Sequence, residues 1–165
     1  MFTISRLRRG EGALLRELRL RALSDAPYAF ATSVEAAEAR SAEHWEDFAV
    51  KSEAAETQVT FVVVSNRMWL GMASAFLEPD EPRTAQMVQM WVEPESRGLG
   101  LGRRLVDAVV DWARERGMTR LRASVTEGNI AAGSLYAAVG FRPTGEQRPL
   151  RSNPSLTEIG LARDL

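Results

Sequence analysis

The sequence predicts a mixed α+β fold, a mostly antiparallel sheet with helices on both of its faces. Three observations carry that prediction. Strand-like segments follow one another closely in the first half of the chain, separated by turn residues. A strongly amphipathic helix then starts directly from a glycine-rich turn. The tail alternates strand, helix and strand. The 165 residues suit one domain over residues 1–165, long enough to bury a core without disulfides or metals.

Phe2 to Leu7 alternates in the manner of a strand. From Glu11 to Ala26, the residues Leu14, Leu15, Leu18 and Ala22 fall on one helical stripe, and Pro27 stops it. Ser41 can cap a second helix through Trp45 and Phe48, and the polar run Ser52 to Thr57 reads as a surface loop. Valine-rich Gln58 to Ser65 and the segment Met68 to Leu77 flank a turn at Asn66-Arg67, which makes an antiparallel hairpin. Glu78 to Arg83, with its prolines, turns the chain into a further strand, Thr84 to Val92. Between Gly100 and Arg116, Leu101, Leu105, Val109, Trp112 and Ala113 recur at helical spacing, and Gly117 stands where a helix ends. Thr119 to Thr126 reads as a strand. Asn129 to Val139 is a short helix opened by Asn129 and closed by Gly140, and Leu156 to Ala162 is the last strand.

Composition excludes several functions. A net charge of -1 gives no overall attraction to nucleic acid or to an anionic membrane, so neither is an expected partner. The chain has no cysteine and one histidine, His44, which removes thiolate chemistry and leaves no multi-histidine metal site; no metal is expected. The longest apolar stretch, around Met68 to Leu77, is too short to cross a bilayer, and the N-terminal residues lack the apolar core of a secretion signal, so the expected location is the cytoplasm. Lys51 is the sole lysine among many arginines and alanines, a usage expected from the coding bias of a GC-rich bacterial genome.

The informative stretch is Val92-Glu93-Pro94-Glu95-Ser96-Arg97-Gly98-Leu99-Gly100-Leu101-Gly102-Arg103-Arg104, a strand passing into a helix through glycines. Residues without Cβ let the backbone turn successive N–H groups toward an anion, and the helix N-terminus adds partial positive charge. Arg97, Arg103 and Arg104 are near enough in sequence to add charge-assisted contacts. Tight strand–helix packing would also explain glycines here. A Walker loop fails, because Arg103-Arg104 replaces the lysine and hydroxyl residue. A dinucleotide loop fits poorly: Gly102 comes one residue early and Glu93 to Ser96 lengthens the turn, although Glu127 stands near the place of the ribose-binding acid. The coenzyme A pattern [Q/R]-x-x-G-x-[G/A] is met in full by Arg97, Gly100 and Gly102.

A second motif follows. Asn129, Ala132, Leu135, Tyr136, Gly140 and Phe141 satisfy N-x-x-A-x-x-L-Y-x-x-x-G-F. Asn129 and Tyr136 are seven residues apart, almost two helical turns, so they project from nearly the same face, although a helix cap and a half-buried aromatic would account for each separately. With both motifs in this order, the sequence resembles the GNAT superfamily of acetyl-CoA-dependent N-acetyltransferases, whose Val-x-Pro-Glu-x-x-Gly-x-Gly-x-Gly lead-in is reproduced from Val92 to Gly102. Arg21-Ala22-Leu23 with Pro27, Ala29 and Phe30 is similar to one bacterial branch of it.

The resemblance implies a sheet of six to seven strands with about four helices, and transfer from acetyl-CoA to a primary amine of a small molecule or protein by direct attack in a ternary complex. Main-chain groups at Met90, Trp91 and Val92 would bind the pantetheine. Backbone N–H groups of Arg97, Gly98, Leu99, Gly100, Leu101, Gly102 and Arg103 would hold the diphosphate, and Asn129 would contact the pantetheine arm. Tyr136 would also meet the cofactor and protonate the departing thiolate. A lysine-type amine, with a pKa near 10.4, needs a base, for which Glu127 is the first candidate and Glu78, Glu35 and His44 are others. The strand Thr84 to Val92 carries no carboxylate, where some relatives have one. Trp45, Trp69, Trp91 and Trp112 read as core side chains. A homodimer is among the assemblies compatible with such a domain. The acceptor would be read by the loops around Pro27 to Glu35 and Gln147 to Ser155. Two rival functions are a non-catalytic acyl-CoA sensor and a nucleotide-binding protein using the same glycines.

Overall fold

The computed structural model describes the whole chain, Met1 to Leu165. Its strands are β1 (Thr3–Arg6), β2 (Gln58–Ser65), β3 (Met68–Leu77), β4 (Thr84–Val92), β5 (Arg120–Thr126), β6 (Arg142–Leu150) and β7 (Asn153–Asp164). The helices are α1 (Gly12–Asp25), α2 (Val34–Glu38), α3 (Ala42–Ala54), α4 (Leu101–Glu115) and α5 (Ile130–Ala138). The strands form one sheet in the order β1-β2-β3-β4-β5-β7-β6. Every neighbouring pair is antiparallel except β4 and β5. The mixed, mostly antiparallel sheet expected from sequence is therefore the one observed, with seven strands and a fifth helix.

Alternation along the strands sends one side-chain set to each face. Val59, Val63, Ala73, Ala75 and Met87 pack beneath α4 with Leu105, Val109 and Trp112. Val62, Met72 and Trp91 point the other way, into a second core with Leu15, Leu18, Leu23 and Trp45 of α1 and α3. Each buried leucine or valine removed from water contributes about 1.5–3 kcal/mol, which is why both faces need a helical cover. No helix is long and apolar enough to cross a membrane.

The differences from the sequence reading have local causes. Leu14 stays 45% exposed, and the buried stripe of α1 takes in Arg19 and Leu23 instead. Ser52, assigned to a loop, is still helical and fully buried, because its hydroxyl accepts from Thr60 N–H (2.9 Å) and donates to Thr60 C=O (3.2 Å). Strand β6 carries prolines, a glycine and exposed side chains, none of which signals a strand; as the sheet's outer edge it tolerates missing donors. It turns the supposed acceptor loop from Gln147 onward into strand.

Two irregularities open the sheet at its middle. The parallel pairing of β4 with β5 ends at Gln86 opposite Arg122, so from Met87 onward β4 has no ladder partner on that side. In the same stretch β4 bulges: Val88 pairs with Ser74 and Trp91 with Met72, leaving Gln89 and Met90 opposite Ala73. Gln89 adopts φ 58°, an uncommon conformation for a residue with a Cβ. Its amide donates to Ser74 Oγ at 2.9 Å, and Ser74 Oγ meets Thr60 Oγ1 at 2.7 Å, so buried hydroxyls fix the bulge from the neighbouring strands.

Candidate active site

The site begins where β4 runs into α4. Pro94 to Ser96 form a short 3-10 turn, after which Gly98 (φ 79°) and Gly100 (φ 75°) reverse the chain into the helix. The first helical bond is Arg104 N–H to Gly100 C=O at 3.1 Å. The consecutive N–H groups from Gly98 to Arg103 thus have no acceptor in the chain, at the positive end of a 15-residue helix. A Cβ on Gly98 or Gly100 would meet nothing within 4 Å, so the loop is open to solvent at both glycines. Gly102 has another task. A Cβ there would lie 2.9 Å from Leu135 Cδ2 and 3.1 Å from Met90 Cε, so its absence lets α4 close against α5 and the bulge. Main-chain donors in this arrangement form a cradle of the kind that can accept an anion.

Arginine side chains do not complete it. Arg97 donates through Nε to Val92 C=O (2.9 Å) and through Nη2 to Asp25 Oδ2 (2.6 Å). Arg103 reaches Ala138 C=O at 3.2 Å and Arg104 reaches Phe2 C=O at 3.1 Å. Sequence proximity suggested that the three would converge; the helical turn instead points them at three separate partners. Arg97 belongs to a clamp on the end of α1, where Asp25 also accepts from the Trp91 indole at 2.9 Å. Burial pushes the Asp25 carboxyl up, but the bonds from Trp91 and Arg97 outweigh it and leave it below the usual range. Arg21 adds a two-pronged bond to Glu93, at 2.8 and 2.9 Å, and a bond to Trp69 C=O. The loop is thereby tied to the helix on the opposite face of the sheet.

Beside the cradle, the gap between β4 and β5 is the floor of a cleft of about 1060 Å³ that reaches both faces of the sheet. Met90 and Tyr136 line it on the α4 side; Arg19, Phe30, Arg40, Trp45 and Phe48 line it on the α1/α3 side, and Gln147 to Leu150 of β6 close one flank. Tyr136 is 6% exposed, stacked edge-on to Phe141 with 5.5 Å between centroids. Burial alone pushes its phenol well above the usual tyrosine value, so it holds its proton across the neutral range.

The remaining expected residues separate. Trp91 turns its ring into the α1/α3 core, so only its main chain faces the gap. Leu101 is buried under the sheet, while Leu99 is 56% exposed at the loop tip. Asn129 is the cap of α5, accepting from Ala132 N–H at 3.3 Å, and it does not line the cleft. Glu127 is exposed at the end of β5 and is likewise not among the residues that line the cleft. Glu35 and His44 are outside it too; burial, then the charge of Arg40, holds His44 below the usual histidine value. Glu78 does line the cleft and forms no ion pair, whereas Glu146 and Glu158 are bound to Arg122 and Arg148. Sequence reasoning missed Arg19. Its signal was its place, four residues after Leu15 on the apolar stripe of α1.

Comparison with known proteins bears on the family and the fold. The sequence pattern of the Acetyltransferase (GNAT) family matches residues 18–141. A mycothiol acetyltransferase from Beutenbergia cavernae is 36% identical over 72 residues, 44% of this chain and 24% of that protein. The chain spans less than half the length of the curated relatives it matches. Among solved structures, a GNAT-family acetyltransferase from Streptococcus pneumoniae superposes with a TM-score of 0.85 at 19% identity, covering 100% of this chain and 99% of that one. The yncA protein of Salmonella typhimurium, solved with its cofactor acetyl-CoA, superposes with a TM-score of 0.81 at 20% identity, covering 100% and 94%. At such identities these structures speak to the fold.

Proposed function

This chain belongs to the GNAT acetyltransferase family, and from that premise we propose that it acts as a single N-acetyltransferase domain over residues 1–165, moving an acetyl group from acetyl-CoA to a primary amine. The observation that carries the proposal is the run of unpartnered amides from Gly98 to Arg103, opening beside a cleft that holds a protonated, buried tyrosine. Acetyl-CoA fits this arrangement: its diphosphate meets the cradle, and its pantetheine arm can lie along the unpaired edge of β4 from Met87 to Val92. The cofactor supplies a thioester, whose carbon is already activated toward an amine. A cytoplasmic location, where acetyl-CoA is available, suits the activity.

In this reading each residue has a bounded task. Main-chain groups freed by the bulge at Gln89 and Met90 orient the thioester and stabilise the oxyanion that forms when the amine attacks. Tyr136 donates its proton to sulfur as the C–S bond breaks. Glu78, the unpaired carboxylate of the cleft, takes the proton released by the ammonium, through water. Asp25, Arg97, Arg21 and Glu93 hold the cradle in register with β4. Covalent catalysis needs no place, since the amine attacks directly.

Thermal shift with acetyl-CoA, desulfo-CoA, NAD and ATP side by side tests the proposal. A ligand at about one hundred times its Kd stabilises by about 2.7 kcal/mol, a rise of several degrees for a domain of this size. Both coenzyme A compounds should stabilise the protein and the nucleotides should not. The reverse ranking would point to the nucleotide-binding alternative, and stabilisation by acetyl-CoA with no release of CoA from it in the presence of any amine would point to an acyl-CoA sensor.

A further inference from the structure

Arg19 is an anomaly at the α1/α3 end of the cleft. It is 7% exposed, with its guanidinium 4.6 Å from the centroid of Phe30. It forms no ion pair, and its Nη1 is buried without an acceptor. The nearby charge of Arg40, of the same sign, also acts against it. Burial and then Arg40 lower its pKa to about 10, which still leaves it charged at neutral pH. Trp45 lines the same cleft, and its indole N–H is also buried without an acceptor. A leucine or methionine at position 19 would pack the stripe of α1 without this desolvation cost. Donors lacking acceptors, gathered at one end of a cleft, complement an anion supplied from outside.

We infer that the acceptor amine also carries a carboxylate, bound by Arg19 and the Trp45 N–H with Arg40 adding charge, so that the substrate class is that of amino acids. This rests on the acetyltransferase reading above. A guanidinium fork and one indole donor suit a planar, singly charged carboxylate; a phosphate dianion would call for more donors. Phe30, Phe48 and Phe76 supply apolar walls beside these donors. The cationic end of the cleft lies on the α1/α3 side of the sheet, and Tyr136 lies on the α4 side.

The test compares common L-amino acids with their carboxamides, following CoA release at saturating acetyl-CoA, in the wild type and in Arg19→Met. The wild type should favour acids over amides at least tenfold in kcat/KM. Arg19→Met should lose that preference, mainly through KM, while binding acetyl-CoA as the wild type does. Trp45→Phe keeps a buried ring and removes the N–H, and it should lower the preference severalfold, which gives a second reading if Arg19→Met fails to fold. Equal use of acids and amides, an unchanged preference in the variants, or acetylation of no carboxylate-bearing amine while acetyl-CoA binds would overturn the inference. Failure of acetyl-CoA to bind would overturn the acetyltransferase reading instead.

Discussion

Replacing Gly100 with alanine isolates the role of the main-chain cradle. Gly100 has φ 75° and an added Cβ would touch nothing within 4 Å, so the cost is conformational rather than steric. An L-residue in the left-handed region costs about 1–2 kcal/mol, which for a domain of this length lowers Tm by about 2–8 °C. Gly117, just past the end of α4, has φ 74° and is equally open, so Gly117→Ala should lose the same stability. The two variants differ in what surrounds the strain. At Gly100 relief of the strain rotates amides away from the bound anion, and each hydrogen bond to a charged group is worth about 1.5–3 kcal/mol, so losing one weakens acetyl-CoA about 10- to 150-fold. Gly117 is at the far end of the helix, and Gly117→Ala should bind acetyl-CoA as the wild type does. Calorimetric titration of both variants, alongside their melting curves, reads the two effects separately. If Gly100→Ala melts earlier but keeps its affinity within twofold, these amides do not hold the diphosphate.

Two further outcomes are expected. Tyr136→Phe preserves the edge-on contact with Phe141 and removes only the phenol, so turnover should fall about 10²- to 10⁴-fold with acetyl-CoA affinity nearly unchanged; equal turnover in rapid-quench and steady-state assays would remove the acid role. Asp25 has a lowered pKa, so its contribution to stability is present above the unfolded carboxyl value of about 3.9 and is lost as pH falls through the folded value. Urea melts of the wild type between pH 5 and 2.5 should therefore weaken more steeply than those of Asp25→Asn, and parallel profiles would show that the clamp to Trp91 and Arg97 adds nothing.

The sequence by itself determined the elements whose cause is local. Strands β2 to β5 and helix α4 follow from periodicity and turn residues, and the glycines at positions 98 and 100 fix a bend whose amides must point outward. The two motifs also singled out Tyr136, through the family resemblance they carry. Tertiary structure decided the rest, because it depends on what the neighbouring strand or helix does. Strand β6 exists as a strand only by pairing with β7, against its own prolines. The gap between β4 and β5 arises where two registers diverge, which neither strand encodes separately. Asn129 opens the second motif and Glu127 stands just before it, yet neither lines the cleft, while Arg19, more than a hundred residues before Tyr136 in the chain, does. Backbone geometry is a short-range property and can be read from neighbours in the chain; the burial of a charge is set by residues distant in sequence, and only the folded chain brings them together.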